Sequence, residues 1–204
     1  MESGTRRRLT APERREALLA AAMEVFAKRG YHGASIDEIA QAAGISKALI
    51  YEHFAGKKAL HAALVEREIG DLFARLQANA RSGRAGADRL RGGVDAFLGF
   101  VEERRDAWRM LFRDAADPEM VEMLDRVEEQ AAGVLVALME EEAEDDEPRE
   151  DLEVFARLLS GALQALANWW LEHPEVPRAT LADRVMDFAW LGLERRRAGE
   201  RWPT

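Results

Sequence analysis

The chain has 204 residues, of which 48% are hydrophobic and 33% are charged. This apolar fraction excludes an intrinsically disordered chain, and the length suits one domain or two small ones. The absence of cysteine excludes a disulfide framework, thiol catalysis and zinc sites built on thiolates. The sequence shows no signal-peptide pattern and no apolar run near the ~20 residues that cross a bilayer, so we expect a cytoplasmic protein with no membrane partner.

Charge is distributed unevenly along the chain. Residues 1–60 carry a formal charge of +3 and the remainder carries -12, within a net charge of -9. A basic N-terminal part on an acidic body suggests that the N-terminal part meets a polyanion. An ordinary solvated surface can show the same asymmetry, so a motif is needed to decide between the two interpretations.

The predicted elements are all helices, because Val, Ile and Thr are sparse and no segment alternates apolar with polar residues. Thr10 and Ser35 each stand three residues before a Glu, which is the capping-box pattern that begins a helix. Ser46 caps a third helix, and Gly30 and Gly44 end the first two. Further helices are predicted from about 56 to 80 and over 87–105, 106–115, 118–143, 150–172 and 178–198. The sequence therefore predicts an all-α fold of about nine helices.

Residues 35–54 carry the most informative motif. Two capped helices of about two turns each are joined through Gly44, where a left-handed backbone conformation favours glycine. The spacing of the apolar residues lets this pair pack on itself and on the first helix; these residues are Ile36, Ile39, Ala40, Ile45, Ile50 and Phe54. This is the helix-turn-helix arrangement, whose second helix enters the major groove of DNA.

Residues 10–60, about a quarter of the chain, resemble the DNA-binding domain of the TetR family of transcriptional regulators. The segments that carry the resemblance are FAKRGY at 26–31, SIDEIA at 35–40, AGISK at 43–47, IYEHF at 50–54 and KKAL at 57–60. The resemblance implies a helix-turn-helix DNA-binding domain over 1–55, with a flexible basic arm at 1–9, and a helical ligand-binding and dimerisation domain over 56–204. It also implies a homodimer that binds an inverted-repeat operator in double-stranded DNA and is released by a small, largely apolar ligand, with repression favoured over activation.

Position on the third helix suggests how it would meet DNA. Ser46 and Lys47 stand at its N-terminus and are expected to reach base edges, where Lys donates to guanine. We expect Leu49 to face the same way and contact a thymine methyl group. Tyr51 stands about one turn beyond Lys47, with its hydroxyl placed for a phosphate rather than for the core. Ser46 is expected to act both as a helix cap and as a DNA contact.

Other candidate contacts lie around this helix. Lys57 opens the fourth helix, where free backbone N–H groups and the helix dipole favour a phosphate. Ser35 could offer its hydroxyl or amide to the DNA backbone, although a role as cap alone is favoured. His53 is evenly balanced between packing and a phosphate contact, and Tyr31 is a weaker candidate. The arginines at 6–8 could reach a groove, but a solvated tail is favoured.

The last two long helices suggest a subunit interface. The polar residues of the helix at 152–171 form one narrow stripe, consisting of Glu153, Arg157, Ser160, Gln164 and Asn168. Because nearly everything else on that helix is apolar, it must be covered on most sides. The candidate interface residues are Phe155, Leu159, Leu166, Leu181, Val185 and Phe188. The family implies a four-helix bundle formed with the symmetry mate, and the alternative is that both helices are buried in a monomer core.

A ligand pocket is expected between the helices of the C-terminal part, since bundles place cavities there and Met and aromatic side chains line adaptable apolar sites. The candidate pocket residues are Phe97, Phe100, Trp108, Phe112, Met123 and Trp169. For any single one of them, an ordinary core position is the stronger interpretation. The acidic run at 140–147 is interpreted as a solvated loop.

An enzyme is not expected. The four histidines show no HExxH pattern, and GxSxG, P-loop and GxGxxG motifs are absent from the sequence. We therefore predict no catalytic residue, no metal site and no cofactor. The alternatives to a ligand-released repressor are an activator on the same fold and a helical small-molecule-binding or interaction protein that does not bind DNA.

Overall fold

The computed structural model describes residues 10–112, 118–141 and 148–197, and in these ranges it contains nine helices and no strand. The helices are α1 (Ala11–Gly33), α2 (Ile36–Ala43), α3 (Lys47–His53), α4 (Lys57–Ala80), α5 (Gly86–Glu103), α6 (Arg105–Phe112), α7 (Pro118–Glu140), α8 (Arg149–Trp170) and α9 (Arg178–Arg197). The predicted all-α fold is confirmed. The predicted arm at 1–9 and most of the acidic run lie outside the described residues. None of the described helices is long and apolar enough to cross a lipid bilayer.

The helix ends follow from local chemistry. The Thr10 backbone N–H donates to the Glu13 carboxylate at 2.7 Å, and the Glu13 N–H donates to the Thr10 hydroxyl, which completes the predicted capping box of α1. Gly30 (φ 68°, ψ 171°) interrupts α1 at the predicted end, and one further turn follows the kink. Gly44 ends α2 with a φ of 65°, in the left-handed region that favours glycine.

The N-terminal core is closed by a helix that is distant in sequence. α1 packs against α2, α4 and α6. The buried apolar side chains of α1–α4 form one cluster, and Met110 of α6 belongs to it with only 1% of its surface exposed. The first four helices therefore depend on α6 to complete their packing.

A second cluster lies in the C-terminal part. It joins side chains of α4, α5, α8 and α9 with Trp108 of α6, which is 1% exposed. α7 packs mainly against α8, where Val136 and Ala156 belong to a smaller buried cluster. α6 thus places Trp108 in one core and Met110, two residues further on, in the other.

Candidate nucleic-acid interface and ligand cavity

α3 presents one face to solvent and one to the core. Ile50 is fully buried, whereas Tyr51 is 51% exposed. Ser46 caps the helix by accepting a hydrogen bond from the Leu49 N–H at 3.2 Å. Ser46, Lys47 and Tyr51 are therefore exposed to solvent, while Ile50 on the opposite side of α3 packs into the core.

The exposed Lys47 side chain is held by the neighbouring helix. Its ammonium lies 3.0 Å from the carboxylate of Asp37 in the first turn of α2. The hydrogen bond from Lys47 to Asp37 and the carboxylate charge raise the pKa of Lys47 above its ordinary value. Asp37 is itself 72% exposed, so the pair lies on the surface of the helix-turn-helix.

Leu49 lies on a different side of α3 from the one expected. Leu49 and His53 are half-buried and line a small cleft against Arg14 and Leu18 of α1. Two residues along an α-helix are separated by roughly 200° around its axis, so Leu49 cannot share the face of Lys47. The expectation that Leu49 faces the same way as Lys47 was therefore wrong, and His53 shares its cleft.

Ser35 and Lys57 both have partners inside the protein. The Ser35 hydroxyl accepts from the Glu38 N–H at 3.2 Å and donates to the Glu38 carboxylate at 3.0 Å. The Lys57 ammonium donates to the backbone carbonyls of Tyr31 at 2.8 Å and Ala34 at 3.0 Å, and it lies 4.6 Å from the centre of the Tyr31 ring. Lys57 therefore ties the start of α4 to the connection between α1 and α2.

A largely apolar cavity of about 170 Å³ lies in the C-terminal part, bounded by residues of α4 to α9. Two predicted pocket residues, Phe97 and Trp108, line it, and their rings meet edge to face at 5.3 Å. Phe100 is fully buried but does not line the cavity. The side chains of Phe112 and Met123 lie outside the described part of the structure.

Trp169 was wrongly placed in the pocket. It is 44% exposed and stacks on the imidazole of His173, with the ring centres 4.1 Å apart. Trp170 is the tryptophan of that pair that faces the core, with 1% of its surface exposed. An apolar helix does not reveal from sequence alone which of two adjacent aromatic residues packs inward.

Sequence reasoning missed most of the cavity lining. Large contributions come from leucine and valine residues, which include Leu72, Leu76, Leu90, Val94, Val127, Val134, Leu135, Leu138 and Leu163. Trp190 of α9 also lines the cavity, as do Ser160 and Gln164 of α8. The polar stripe on α8 was visible in the sequence, and it would have identified Ser160 and Gln164 had it been assigned to the inside of the bundle.

Ser160, Gln164 and Asn168 of that stripe are half-buried, whereas Glu153 and Arg157 are exposed, and large apolar side chains of α8 and α9 also face outward. Val154 and Leu158 of α8 are 56% and 60% exposed. On α9, Phe188 and Leu191 are 70% and 51% exposed. Together with Trp169, these are the large exposed apolar residues of α8 and α9 among the side chains that the structure describes, which on α9 end at residue 192.

The candidate interface residues divide accordingly. Leu159, Leu181 and Val185 are buried in the core of the subunit itself, so placing them on an intersubunit surface was wrong. Phe155 and Leu166 are half-buried, and Phe188 is exposed. The spacing of apolar residues along a helix shows that the helix has two apolar faces, but it does not show which of them packs inside the subunit. For this reason the sequence did not reveal that Leu159, Leu181 and Val185 lie on the inner face.

Comparison with known proteins identifies the chain. Residues 18–64 match the model for bacterial regulatory proteins of the tetR family, and residues 87–192 match the model for the tetracyclin repressor-like C-terminal domain. The chain belongs to the TetR family. Within it, the HTH-type transcriptional activator FasR of Mycolicibacterium smegmatis is 32% identical over 199 residues, covering 93% of this chain and 88% of that protein. The TetR family and these relatives are transcriptional regulators, not enzymes.

Solved structures of TetR regulators share the fold. A TetR-like transcriptional regulator from Rhodococcus sp. RHA1 is 31% identical with a TM-score of 0.78, covering 92% of this chain and 99% of that one. The transcriptional regulator FadR from Bacillus subtilis, solved in complex with stearoyl-CoA, gives a TM-score of 0.74 at 15% identity, covering 86% of this chain and 97% of that one. The likeness to FadR concerns the fold alone.

Proposed function

We propose that this TetR regulator acts in the cytoplasm as a homodimer that binds an inverted-repeat operator and responds to a small, largely apolar ligand. The observation that carries the proposal is the placement of α6. Trp108 of this helix lines the cavity, while Met110 belongs to the core of the N-terminal helices. A ligand that displaces Trp108 would therefore also move a side chain on which the packing of the DNA-binding helices depends.

On the DNA side, we propose that α3 enters the major groove. Ser46 and Lys47 at its exposed N-terminus would meet base edges, and the outward Tyr51 would contact a phosphate. The half-buried positions of Leu49 and His53 favour packing against α1 as their main role. Ser35 acts first as a cap, and Lys57 would contribute through the amide groups that open α4.

Dimerisation is supported by the exposed apolar face of α8 and α9. Five large apolar side chains of these two helices stand in solvent in the single subunit: Val154, Leu158, Trp169, Phe188 and Leu191. Large apolar side chains exposed along one side of each helix are typical of an interface, and a twofold interface would supply the two copies of α3 that an inverted repeat requires. We retain 1–55 and 56–204 as the two functional parts, with Met110 of the second completing the core of the first.

The apolar lining supports a ligand with a hydrophobic body. Leucine, valine and aromatic side chains surround most of the cavity, and burial of such a body would drive binding. The FadR structure with stearoyl-CoA shows that this fold accommodates an acyl compound in another protein. We therefore propose an apolar effector that binds between α4, α5, α7 and α8, next to Trp108.

Repression released by the ligand is the first candidate mode of regulation. Activation is the second, and it is favoured by the name of the relative FasR, which is a transcriptional activator. The two modes share the same DNA contacts and the same cavity. They differ in whether transcription from the bound promoter falls or rises when the protein is added in vitro.

The test is fluorescence anisotropy with duplex fragments of the promoter region of its own operon at low ionic strength. We expect one fragment to bind at a stoichiometry of one dimer per inverted repeat, and a scrambled duplex to bind more weakly. If no fragment binds, the result would favour a small-molecule-binding or interaction protein that does not bind DNA. Run-off transcription from the fragment that binds distinguishes repression from activation.

A further inference from the structure

The inner face of α8 carries three polar side chains beside a largely apolar cavity. Ser160, Gln164 and Asn168 are spaced by four residues, so they lie one above another on the same face of the helix. Ser160 and Gln164 line the cavity, and Asn168 contacts Trp108, which also lines it. Polar groups on an inward face weaken the protein unless they find partners, so each of the three must be accounted for.

Two of the three have a hydrogen-bond partner within the chain. The Ser160 hydroxyl donates to the backbone carbonyl of Arg157 at 3.1 Å. The Asn168 side-chain oxygen accepts from the indole N–H of Trp108 at 2.8 Å. Gln164, which lies between them, makes no hydrogen bond to any residue that the structure describes. Gln164 therefore lines the cavity with neither the donor nor the acceptor of its amide engaged by the described part of the chain, so both are available to a ligand.

The remaining polar side chains around the cavity have other roles. The Asn79 amide donates to the backbone carbonyl of Arg89 at 2.9 Å. The Arg89 guanidinium pairs with Glu141 at 2.5 Å, and Glu128 on α7 is exposed to solvent. Within the described lining, Gln164 is thus the half-buried polar side chain whose hydrogen bonds are left for a ligand.

We propose that the ligand carries an uncharged oxygen, as a hydroxyl or carbonyl group, on its apolar body, and that Gln164 hydrogen-bonds this oxygen. This inference rests on the proposed function, because it takes the cavity as the effector site. A neutral amide both donates and accepts, which matches a hydroxyl or carbonyl group. An anionic group would require a cation, and the lining arginine, Arg89, is already paired with Glu141. A pure hydrocarbon that excluded water from Gln164 would leave its amide unsatisfied. Gln164 is therefore a specificity-determining residue.

The test compares two probes that differ by one oxygen atom. Toluene and benzyl alcohol are titrated into the full-length protein by calorimetry, since an apolar cavity of this size accommodates a benzene ring. The measured quantity is the ratio of the Kd for benzyl alcohol to the Kd for toluene. This ratio is compared between the natural protein, Gln164→Met, which keeps the length of the side chain, and Gln164→Leu. The matched control is Gln130→Met, on the exposed side of α7 and away from the cavity.

The expected result is a ratio about tenfold or more higher in both Gln164 variants, with the control unchanged, because only benzyl alcohol loses a hydrogen bond. A ratio that stays within about twofold in both variants, while toluene still binds, would overturn this inference and leave the proposed function intact. If neither toluene nor benzyl alcohol binds to the natural protein, the cavity is not an apolar effector site, and the effector part of the proposed function fails together with this inference.

Discussion

The ammonium of Lys47 lies 3.0 Å from the carboxylate of Asp37, so the first side chain of α3 is paired with an acidic group on the preceding helix, α2. Both partners are exposed, so DNA bound as we propose would compete with Asp37 for Lys47. The carboxylate also adds a negative charge to the surface that we expect to approach phosphates. We therefore expect Asp37 to weaken binding to DNA of any sequence.

Asp37→Asn is expected to strengthen binding to non-specific duplex and to steepen its salt dependence, because in the natural protein the pair with Asp37 keeps Lys47 from the phosphates of a duplex whose bases it does not contact. The logarithm of the binding constant should fall by about one additional unit per tenfold increase in salt. The measurement is anisotropy on a scrambled duplex over a range of KCl concentrations. Asp88→Asn, at the start of α5, is the control. An unchanged slope in Asp37→Asn would show that Lys47 does not reach the DNA backbone.

Lys47→Ala is expected to weaken operator binding by about tenfold or more and to affect non-specific binding far less. A base-edge contact contributes mainly to discrimination, whereas a phosphate contact contributes to all sequences alike. The measurement is the ratio of operator to scrambled-duplex affinity at one salt concentration. Equal losses on both duplexes would assign Lys47 to the backbone.

Lys57→Ala is expected to lower the free energy of unfolding by about 1–3 kcal/mol, because two backbone carbonyls lose a charged donor. It is measured by urea denaturation. Lys28→Ala is the control, because Lys28 is 75% exposed and its contact with Glu24 contributes little. Equal stability of the two variants would mean that Lys57 does not hold the α1–α2 connection. Because alanine keeps the backbone amide groups that open α4, the salt slope of DNA binding should stay unchanged, and a slope reduced by about one unit would assign the phosphate contact to the Lys57 ammonium instead.

The proposed dimer interface can be tested at two adjacent leucines. Leu158→Glu is expected to keep the helical circular dichroism spectrum but to give monomers in analytical ultracentrifugation, and Phe188→Glu should do the same. Leu159→Glu, one residue further along, buries a charge in the subunit core and is expected to unfold the protein. An intact dimer in both Leu158→Glu and Phe188→Glu would exclude this face as the interface.

The capping box of α1 predicts a dependence of stability on pH. Hydrogen bonds from Thr10, the larger from its backbone N–H, hold the pKa of Glu13 below its ordinary value. This contribution to stability is present above the ordinary pKa and is lost as the pH falls through the lowered one. Glu13→Gln should therefore lose less stability than the natural protein between about pH 5 and pH 3. Urea unfolding at a series of pH values measures this, and Glu66→Gln, which is exposed, should follow the natural protein.

Local chemistry made the N-terminal part predictable. Caps at Thr10, Ser35 and Ser46 and breaks at Gly30 and Gly44 depend on neighbouring residues, and these features lie where the sequence indicates. The contribution of Met110 to the first core was not predictable, because it depends on a contact between helices far apart in the chain. The outward Leu158 and inward Leu159 show the same limit on α8, since the direction of a face depends on its neighbours.

Because Met110 packs in the N-terminal core, the DNA-binding helices of this protein cannot be exchanged freely with those of its relatives. A chimera can join the DNA-binding helices of another regulator to the C-terminal helices of this chain. Its N-terminal core then receives a Met110 side chain that packs against different neighbours. A hybrid regulator built from this chain must therefore change residue 110 together with the grafted helices. The two parts are joined by the packing of Met110 as well as by the peptide chain, so a junction chosen from the sequence alone misses this contact.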